Sequence, residues 1–428
     1  MLSVTQYELF PGVRLTAVHT KKFKSTVLGA QLLAPLDRRS ASRNALVPPV
    51  LRRGTLRHPD LEALTRALDE LYGGALDSAV RKKGEVQCLG FHGSFLDEAY
   101  APKGSGILEQ ATELLSELLL RPVTEKGGFL PEYVEGERKN LIEQIRARKN
   151  DKRRYADFRL IQEMCAQEPY GVARLGDEGE ARAVTAQELW SGYEQLLRTS
   201  PLELYCCGSA EPERMAELFS RAFAALPRGE RLTECEGSVR LHAGDQAPRV
   251  VEEELDVTQG KLSLGFRTGG ACIWEESYPA LLLFNAVYGG STTSKLFLNV
   301  RERMSLCYYA SSAIEKFKGI LRVSSGVAFE HYGQARDEIL SQLEQCRAGN
   351  ISREELEGAR RQVVGELMTT SDSQSALENY WLGQAVAGLS ETPEELARRV
   401  EQVTLEQVVE TAASLELDTI YFLKGKER

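Results

Sequence analysis

The sequence is poor in residues that could form a local transition-metal site. Its five histidines are dispersed, and no two of them lie within one helical turn of each other. The eight cysteines are also scattered, with no Cys-x-x-Cys pair, which argues against a zinc ribbon and against the disulfide framework of a small secreted protein. We therefore expect reduced, structural thiols and no histidine-based metal site.

A basic excess and a long apolar run are missing as well. The formal net charge is −9 and the isoelectric point is about 5.4, so a nucleic acid partner is not expected. The basic run at residues 146–154 (RARKNDKRR) is interpreted as the solvated face or end of a long helix. No segment approaches the roughly 20 apolar residues that span a bilayer, and the N-terminus lacks a signal-peptide pattern. The sequence thus predicts a cytoplasmic protein without a membrane partner.

The length and an internal repeat indicate two domains. A chain of 428 residues exceeds the roughly 250 residues at which single cores stop growing. Residues 132–145 (EYVEGERKNLIEQI) align without gaps with residues 354–367 (EELEGARRQVVGEL), at an offset of 222, and an amphipathic helical segment precedes each copy. We predict two homologous halves, residues 1–226 and 250–428, joined by a polar, glycine-rich linker at residues 227–249.

Strand-like runs recur at corresponding places in the two halves. They are STVLGAQLL at residues 25–33, VQCLGF at 86–91, KLSLGF at 261–266 and LRVSSGV at 321–327. Because these runs alternate with long helices and lie near hairpin-like segments, we predict an α+β fold. Each half would be a mainly antiparallel sheet with helices packed on one face.

Residues 44–55 (NALVPPVLRRGT) resemble an active-site segment of the pitrilysin/insulinase-like metallopeptidases. In that family the inverted zinc motif His-x-x-Glu-His lies a few residues before a Gly-Thr pair, here Gly54-Thr55. Its three functional positions correspond to Ala45, Pro48 and Pro49. None of these side chains can bind a metal or act as the general base, and no other His-x-x-Glu-His occurs in the sequence.

The family's third zinc ligand is a glutamate seven residues after the Glu of a Glu-Arg pair. Counting from Glu137 places Gln144 at this position. The adjacent Glu143 could not easily replace it, because one residue rotates a helical side chain by about 100°. The resemblance therefore implies a zinc-less relative with no metal cofactor of its own.

The two prolines predict an altered backbone in addition to altered chemistry. Consecutive prolines inside a helix remove two backbone donors and cost about 3 kcal/mol or more each. We therefore expect residues 44–53 to be a helix start or a broken helix.

Residues 288–308 (YGGSTTSKLFLNVRERMSLCY) resemble the same family's GG-x-x-SSRLF and RE-K-x-GL-x-Y segment. There, an arginine and a tyrosine seven residues apart hold the substrate peptide, and Arg301 and Tyr308 occupy those positions. Guanidinium and phenol groups can both donate to a peptide carbonyl or an oxyanion. The alternative is that Arg301 pairs with a surface carboxylate and that Tyr308 packs in the core. The spacing also predicts a helix that ends at Met304, followed by a turn and a strand.

Two further segments support the fold assignment more than an activity. Pro169-Tyr170-Gly171 resembles the family's HPYG segment, with Glu168 where histidine is common. The glycine-rich segment from Gly289 to Lys295 lacks phosphate-loop spacing, and a turn into a helix is the better interpretation.

The resemblance implies the non-catalytic subunit of a two-chain peptidase. A zinc-bearing homologous partner would hydrolyse an extended peptide, while this chain, inactive alone, would supply half of the chamber and the Arg301/Tyr308 pair. The alternative is a zinc-less scaffold that binds a protein or peptide without a role in proteolysis, as zinc-less relatives do in the respiratory cytochrome complex. Bacterial zinc-less proteins of this kind include ones named for elongation factor P modification and others that mature peptide natural products. Homodimerisation of the isolated chain is left open.

Overall fold

The computed structural model describes residues 2–229, 231–244 and 247–426. Three residues of the predicted linker lie outside this description, namely 230, 245 and 246. The same holds for the outermost residues of the predicted halves, which are 1, 427 and 428. Within the described part, residues 231–244 contain no helix or strand. No helix in the described ranges combines the length and the apolar character that a membrane crossing requires.

Strands and helices alternate along the chain, as the predicted α+β class requires. The strands are β1 Ser3–Phe10, β2 Val13–His19, β3 Ser25–Pro35, β4 Ala75–Lys83, β5 Val86–Leu96, β6 Leu202–Gly208, β7 Arg249–Leu255, β8 Gly260–Arg267, β9 Cys307–Glu315, β10 Ile320–Val327 and β11 Glu416–Gly425. The helices are α1 Arg38–Leu51, α2 Leu61–Glu70, α3 Ile107–Leu120, α4 Pro131–Ala147, α5 Lys152–Met164, α6 Glu178–Ala183, α7 Ala186–Thr199, α8 Pro212–Phe223, α9 Tyr278–Tyr288, α10 Tyr332–Arg347, α11 Arg353–Thr369, α12 Gln374–Ala387, α13 Pro393–Glu401 and α14 Leu405–Ser414. A π-helix, Leu296–Arg303, precedes β9.

The chain forms two compact units, each discontinuous in sequence. Unit 1 comprises Met1–Arg146, Val172–Glu236 and Ser373–Leu389, and unit 2 comprises Ala147–Gly171, Gly237–Asp372 and Ser390–Arg428. Relative to the predicted halves, residues 147–171 therefore belong to unit 2 and residues 373–389 to unit 1. The halves 1–226 and 250–428 describe the sequence repeat, and their boundaries stay a prediction.

The secondary structure repeats at the same offset as the sequence. The bounds of α4 and α11 differ by 222 at both ends, since 353 − 131 = 222 and 369 − 147 = 222. Helices α5 and α12 begin at residues 152 and 374, also 222 apart. Helix α5 lies in the segment 147–171, which joins unit 2, and α12 lies in the segment 373–389, which joins unit 1. These two helices are thus equivalent members of the repeat.

Unit 1 contains a six-stranded sheet in the order β1-β2-β6-β3-β5-β4. Its neighbours pair antiparallel except for β2 and β6, which are parallel. The central strand β3 is a nearly continuous apolar run because both of its faces are buried. Alternate residues such as Leu28 and Leu32 join the core formed with α1, α3, α7 and α8, whereas Val27 packs with Leu377 and Trp381 of α12.

Unit 2 repeats this arrangement with five strands in the order β7-β11-β8-β10-β9. Only β7 and β11 are parallel. Leu264 of β8 lies in the main core with Phe284 of α9, while Tyr421 and Leu423 of β11 pack against Leu160 of α5. The predicted class, two mainly antiparallel sheets with packed helices, is confirmed. In addition, one helix lies on the second face of each sheet.

The prediction of a helix start or a break in residues 44–53 is wrong. Helix α1 runs without interruption from Arg38 to Leu51 with both prolines inside it, and the amide of Arg52 still donates to the carbonyl of Pro48 at 3.0 Å. The missing amides cost about 3 kcal/mol each. Full burial contributes roughly 1.5–3 kcal/mol for each large apolar side chain, and the helix buries Leu46, Val47, Val50 and Leu51. Tertiary packing therefore outweighs the local penalty.

Unit 2 also contains a buried ionic network that the sequence did not reveal. The carboxylate of Glu168 lies 2.7 Å from the guanidinium of Arg267 and 2.9 Å from the ammonium of Lys318, and both cationic side chains are fully buried. Asp418 binds the other side of the same guanidinium at 2.9 Å. Burial opposes ionisation of Glu168, but bonds from the two cations outweigh it and lower the pKa of this carboxyl. Glu168, at the usual histidine position of the HPYG segment, is thus a structural anion.

We predict that Pro49→Ala stabilises the protein. The substitution restores an amide that can donate within α1, at a position that is only partly buried, so little packing is lost. The free energy of unfolding should rise by about 1 kcal/mol or more, measured by thermal or urea unfolding. Pro131→Ala is the matched control, because Pro131 is the first residue of α4, where proline is tolerated. An unchanged or lower stability of Pro49→Ala would contradict the expected gain.

We predict that Glu168→Gln destabilises unit 2 by about 3 kcal/mol or more, because it leaves two buried cations short of a counter-charge. Since folding lowers the pKa of Glu168, its contribution is present above the unfolded value of about 4.3 and is lost as the pH falls through the folded value. The difference in unfolding free energy between wild type and variant should therefore shrink below about pH 4. Exposed Glu330→Gln serves as the control, and equal losses in both variants would refute the assignment.

Candidate functional site

The degenerate zinc-motif positions lie on two helices of unit 1. Ala45, Pro48 and Pro49 share one face of α1, as the spacing i, i+3, i+4 requires, and Gln144 is an exposed residue of α4. Alanine and proline side chains have no ligand atom, and an amide is not one of the usual zinc donors. The donor set at these positions does not fit a zinc ion. Among the described residues, no group of three or more His, Cys, Asp or Glu side chains is placed to hold a metal.

The Gly54-Thr55 pair has a structural role that does not depend on zinc. A Cβ atom on Gly54 would lie 2.4 Å from the carbonyl oxygen of Pro59, so only glycine fits this approach. The hydroxyl of Thr55 is fully buried and donates to the carboxylate of Glu117 at 3.0 Å. It also accepts from the amide of His58 at 3.0 Å. These contacts fix the turn after α1 and explain how the pair can persist without the ligands that precede it.

The end of α1 is also joined to α4, the helix of the Glu-Arg pair. Arg53 contacts the carboxylate of Glu137 at 3.3 Å, and its guanidinium lies 4.9 Å from the ring centroid of Tyr133. The neighbouring Arg138 donates to the carbonyl of Val184 at 3.0 Å. Both members of Glu137-Arg138 therefore make contacts that hold elements of unit 1 together.

Arg301 lies in the π-helix of unit 2, and its side chain is 41% exposed. The guanidinium carbon is 4.6 Å from the ring centroid of Phe297, and Nε is 3.4 Å from the carboxylate of Glu302. Stacking on Phe297 orients the guanidinium, and the adjacent carboxylate is itself exposed, so the pair is weak. Several donors of Arg301 remain available to a ligand.

Tyr308 lies near the start of β9 and is 73% exposed. The predicted turn after Met304 is confirmed: the helix ends at Arg303, Ser305 has a positive φ of 51°, and β9 begins at Cys307. Because its side chain is exposed, Tyr308 does not pack in the core, which was the alternative for this residue. Its role in substrate binding stays a prediction.

Gly289, in the loop before the π-helix, allows this loop to approach β9 closely. The carbonyl of Gly289 accepts from the amide of Ser312 at 2.9 Å, and a Cβ atom on Gly289 would lie 2.6 Å from the hydroxyl oxygen of Ser312. Lys295, which ends this segment, donates to Glu355 at 2.8 Å. The segment is a packed turn into a helix, and its lysine already has a carboxylate partner.

A surface cleft of about 460 Å³ in unit 2 was not anticipated from the sequence. Its lining includes Arg153 and Arg154 of α5, Ser311 of β9 and Arg322 of β10. The two α5 arginines belong to the basic run at residues 146–154, for which the sequence predicts the solvated face or end of a long helix; the run begins at the end of α4 and continues into the first turn of α5. The run itself was the available signal, but nothing in the sequence showed which strand α5 would cover.

The amino-acid sequence is similar to a protein-family model and to known proteins. The model of the peptidase M16 inactive domain matches residues 183–363. The chain is 35% identical to the probable inactive metalloprotease YmfF of Bacillus subtilis over 417 residues, which covers 97% of this chain and 96% of that protein. It is 26% identical over 313 residues to an uncharacterized zinc protease of Mycobacterium bovis, covering 72% of this chain and 69% of that protein.

A solved structure agrees with the fold. The crystal structure of a conserved protein from Enterococcus faecalis V583 matches with a TM-score of 0.88 and 27% identity, over 99% of both chains. The shared fold, the full-length similarity to an inactive metalloprotease and the zinc motif without ligands all agree. The chain therefore belongs to the peptidase M16 family of pitrilysin/insulinase-like proteins, as one of its inactive homologues.

Proposed function

We propose that this chain is the non-catalytic subunit of a heterodimeric zinc peptidase that processes peptides. A zinc-bearing homologous subunit would carry out the hydrolysis. This chain would supply half of the substrate chamber, with Arg301 and Tyr308 as donors to the bound peptide.

The observation that carries the proposal is the contrast between the two units. Every ligand and base position in unit 1 holds a residue without the required chemistry, whereas unit 2 keeps Arg301 and Tyr308 with exposed donor groups. An exposed tyrosine and a partly exposed arginine gain little stability from their position. Their presence is better explained by a ligand that they contact than by the fold.

The substrate proposed is an extended peptide. Each unit contains a sheet with edge strands, and an added peptide strand would obtain affinity from main-chain hydrogen bonds and selectivity from alternate side chains. Tyr308 lies on the edge strand β9 of unit 2, and the residue before Arg301 is close to the start of that strand, because the carbonyl of Val300 accepts from the amide of Leu306 at 3.1 Å. Burial raises the pKa of the Cys307 thiol, and the guanidinium of Arg301 partly opposes this rise. Both donors would therefore lie near the same end of one sheet edge.

The experiment mixes this chain with a zinc-bearing homologue from the same organism. The isolated chain should bind no stoichiometric zinc and cleave no peptide, and proteolysis should appear on mixing. Arg301→Ala combined with Tyr308→Phe should lower kcat/KM of the mixture by about 100-fold, because removal of a donor to an oxyanion typically costs about 3 kcal/mol. Zinc content of each chain is measured separately by elemental analysis.

Arg303→Ala is the matched control, since Arg303 is an exposed arginine of the same π-helix. It should leave the mixture fully active. Full activity of the Arg301/Tyr308 double variant would refute the role of these residues. Stable association with an unrelated protein, with no proteolysis from any zinc-bearing homologue, would favour the alternative of a binding scaffold outside proteolysis.

A further inference from the structure

The edge of β9 is open over a short stretch. Within the described residues β9 pairs with β10 on one side and with no strand on the other. On the outer side the amide of Ser312 donates to the carbonyl of Gly289, which covers this part of the edge. The amide of Ala310, two residues earlier, faces the same way because backbone groups alternate along a strand. Tyr308 and Tyr309 both lie opposite Gly326, which makes a bulge in β9, so the regular part of the edge at which another chain could pair is the stretch around Ala310.

Tyr309 lies flat over the sheet beside this stretch. A Cβ atom on Gly326 would lie 2.4 Å from Cε1 of the Tyr309 ring, so the ring occupies the space that a side chain at this position would need. Gly326 lies in the irregular part of the β9–β10 pairing, between the partners Ser325 and Val327. A glycine at this point in a strand permits a close approach that fixes the ring in place.

Two cations share this ring. The guanidinium carbon of Arg153 is 4.1 Å from the ring centroid and its Nη2 is 3.1 Å from the hydroxyl of Ser311, whereas Nζ of Lys261 is 5.8 Å from the ring centroid. Lys261 also donates to the amide oxygen of Gln259. Partial burial, followed by the repulsion of Arg153, lowers the pKa of Lys261. The fold therefore holds two like charges together on the face of Tyr309.

The acidic groups nearby already have other partners. Asp157 binds Arg322 and accepts from the hydroxyls of Ser263 and Ser324. Asp151 caps α5 by accepting from the amide of Arg154 and lies 3.4 Å from that residue's guanidinium. Among the described residues, neither Arg153 nor Lys261 has a carboxylate within 4 Å. Asp151 acts on Lys261 at longer range and partly opposes the fall in its pKa, but neither cation has the direct carboxylate contact that Arg154 and Arg322 have.

We propose that Arg153 forms a carboxylate site beside the open edge of β9, with Lys261 of β8 as a second, more distant cation. An extended peptide paired with the edge around Ala310 would place a side chain on the face that carries Tyr309 and Ser311, where an aspartate or glutamate would contact Arg153. Lys261 lies two strands further from this edge and would add positive charge at longer range. The chain would thus select acidic peptides. This inference rests on the proposed binding of an extended peptide and specifies its chemical class.

The test measures binding of two short, end-blocked peptides to the purified full chain. The peptides are identical β-prone sequences that carry glutamate or glutamine at alternate positions, and binding is followed by the anisotropy of an uncharged fluorophore. The glutamate peptide should bind several-fold more tightly at low salt, and about 0.5 M sodium chloride should largely remove the difference, since charges are then screened within about 4 Å.

Single substitutions distinguish binding at this site from a general effect of positive charge on the protein surface. Arg153→Gln should weaken binding of the glutamate peptide by roughly threefold, as expected for a partly exposed ion pair, and leave binding of the glutamine peptide unchanged. Lys261→Gln should have a smaller effect, because Lys261 lies on β8 and acts at longer range. Arg153→Lys should retain most of the preference. Arg154→Gln is the matched control: it removes the same charge from the same cleft, but Arg154 points to solvent and already pairs with Asp151.

The outcomes distinguish this inference from the proposed function. Equal binding of both peptides, or an equal loss in Arg153→Gln and Arg154→Gln, would overturn the carboxylate site and leave peptide binding intact. No binding of either peptide at millimolar concentration would also overturn the carboxylate site, whereas the proposed function is refuted separately, by the absence of proteolysis on mixing with the zinc-bearing subunit.

Discussion

The central strands of both sheets are buried on two faces, and most of the architecture depends on this constraint. A strand such as β3, apolar at nearly every position, requires a packed layer on each side. In unit 1 the second layer is α12, which covers Val27 with Leu377 and Trp381. In unit 2 it is α5, which covers Tyr421 and Leu423. These two helices are equivalent in the 222-residue repeat, so the same kind of helix covers the second face of each sheet.

The same helix α5 contributes both to the packing of unit 2 and to the surface cleft beside β9. Leu160 faces the strands of unit 2, and Asp157 binds two strand hydroxyls and Arg322. The first turn of the helix then carries Arg153 to the edge of β9, where it stacks on Tyr309. Arg153 belongs to a basic run that looks solvated in the sequence, but it is held in place by the packing of Leu160, which lies about two helical turns further along α5.

The loss of zinc chemistry did not require the loss of the active-site helix. Helix α1 keeps its course through two prolines because its buried face belongs to the core of unit 1. Gly54 and Thr55 likewise keep their place through close packing on Pro59 and a hydrogen bond to Glu117. Fold and catalysis therefore depend on different atoms of the same segment, and substitution can remove one while the other remains. This separation is what allows an inactive chain to retain the family's scaffold.

The amino-acid sequence alone is enough to predict the α+β class, the main strands, the repeat and the absence of ligands at Ala45, Pro48, Pro49 and Gln144, because periodicity and side-chain chemistry are local properties. It gave the wrong outcome for the backbone around Pro48, since the compensating burial comes from residues far away in the chain. It could not show that Glu168 neutralises Arg267 and Lys318, which are about 100 and 150 residues distant. Nor could it bring Arg153 to Tyr309. Only the tertiary structure decides such pairings, because they depend on which surfaces a helix and a sheet bury together.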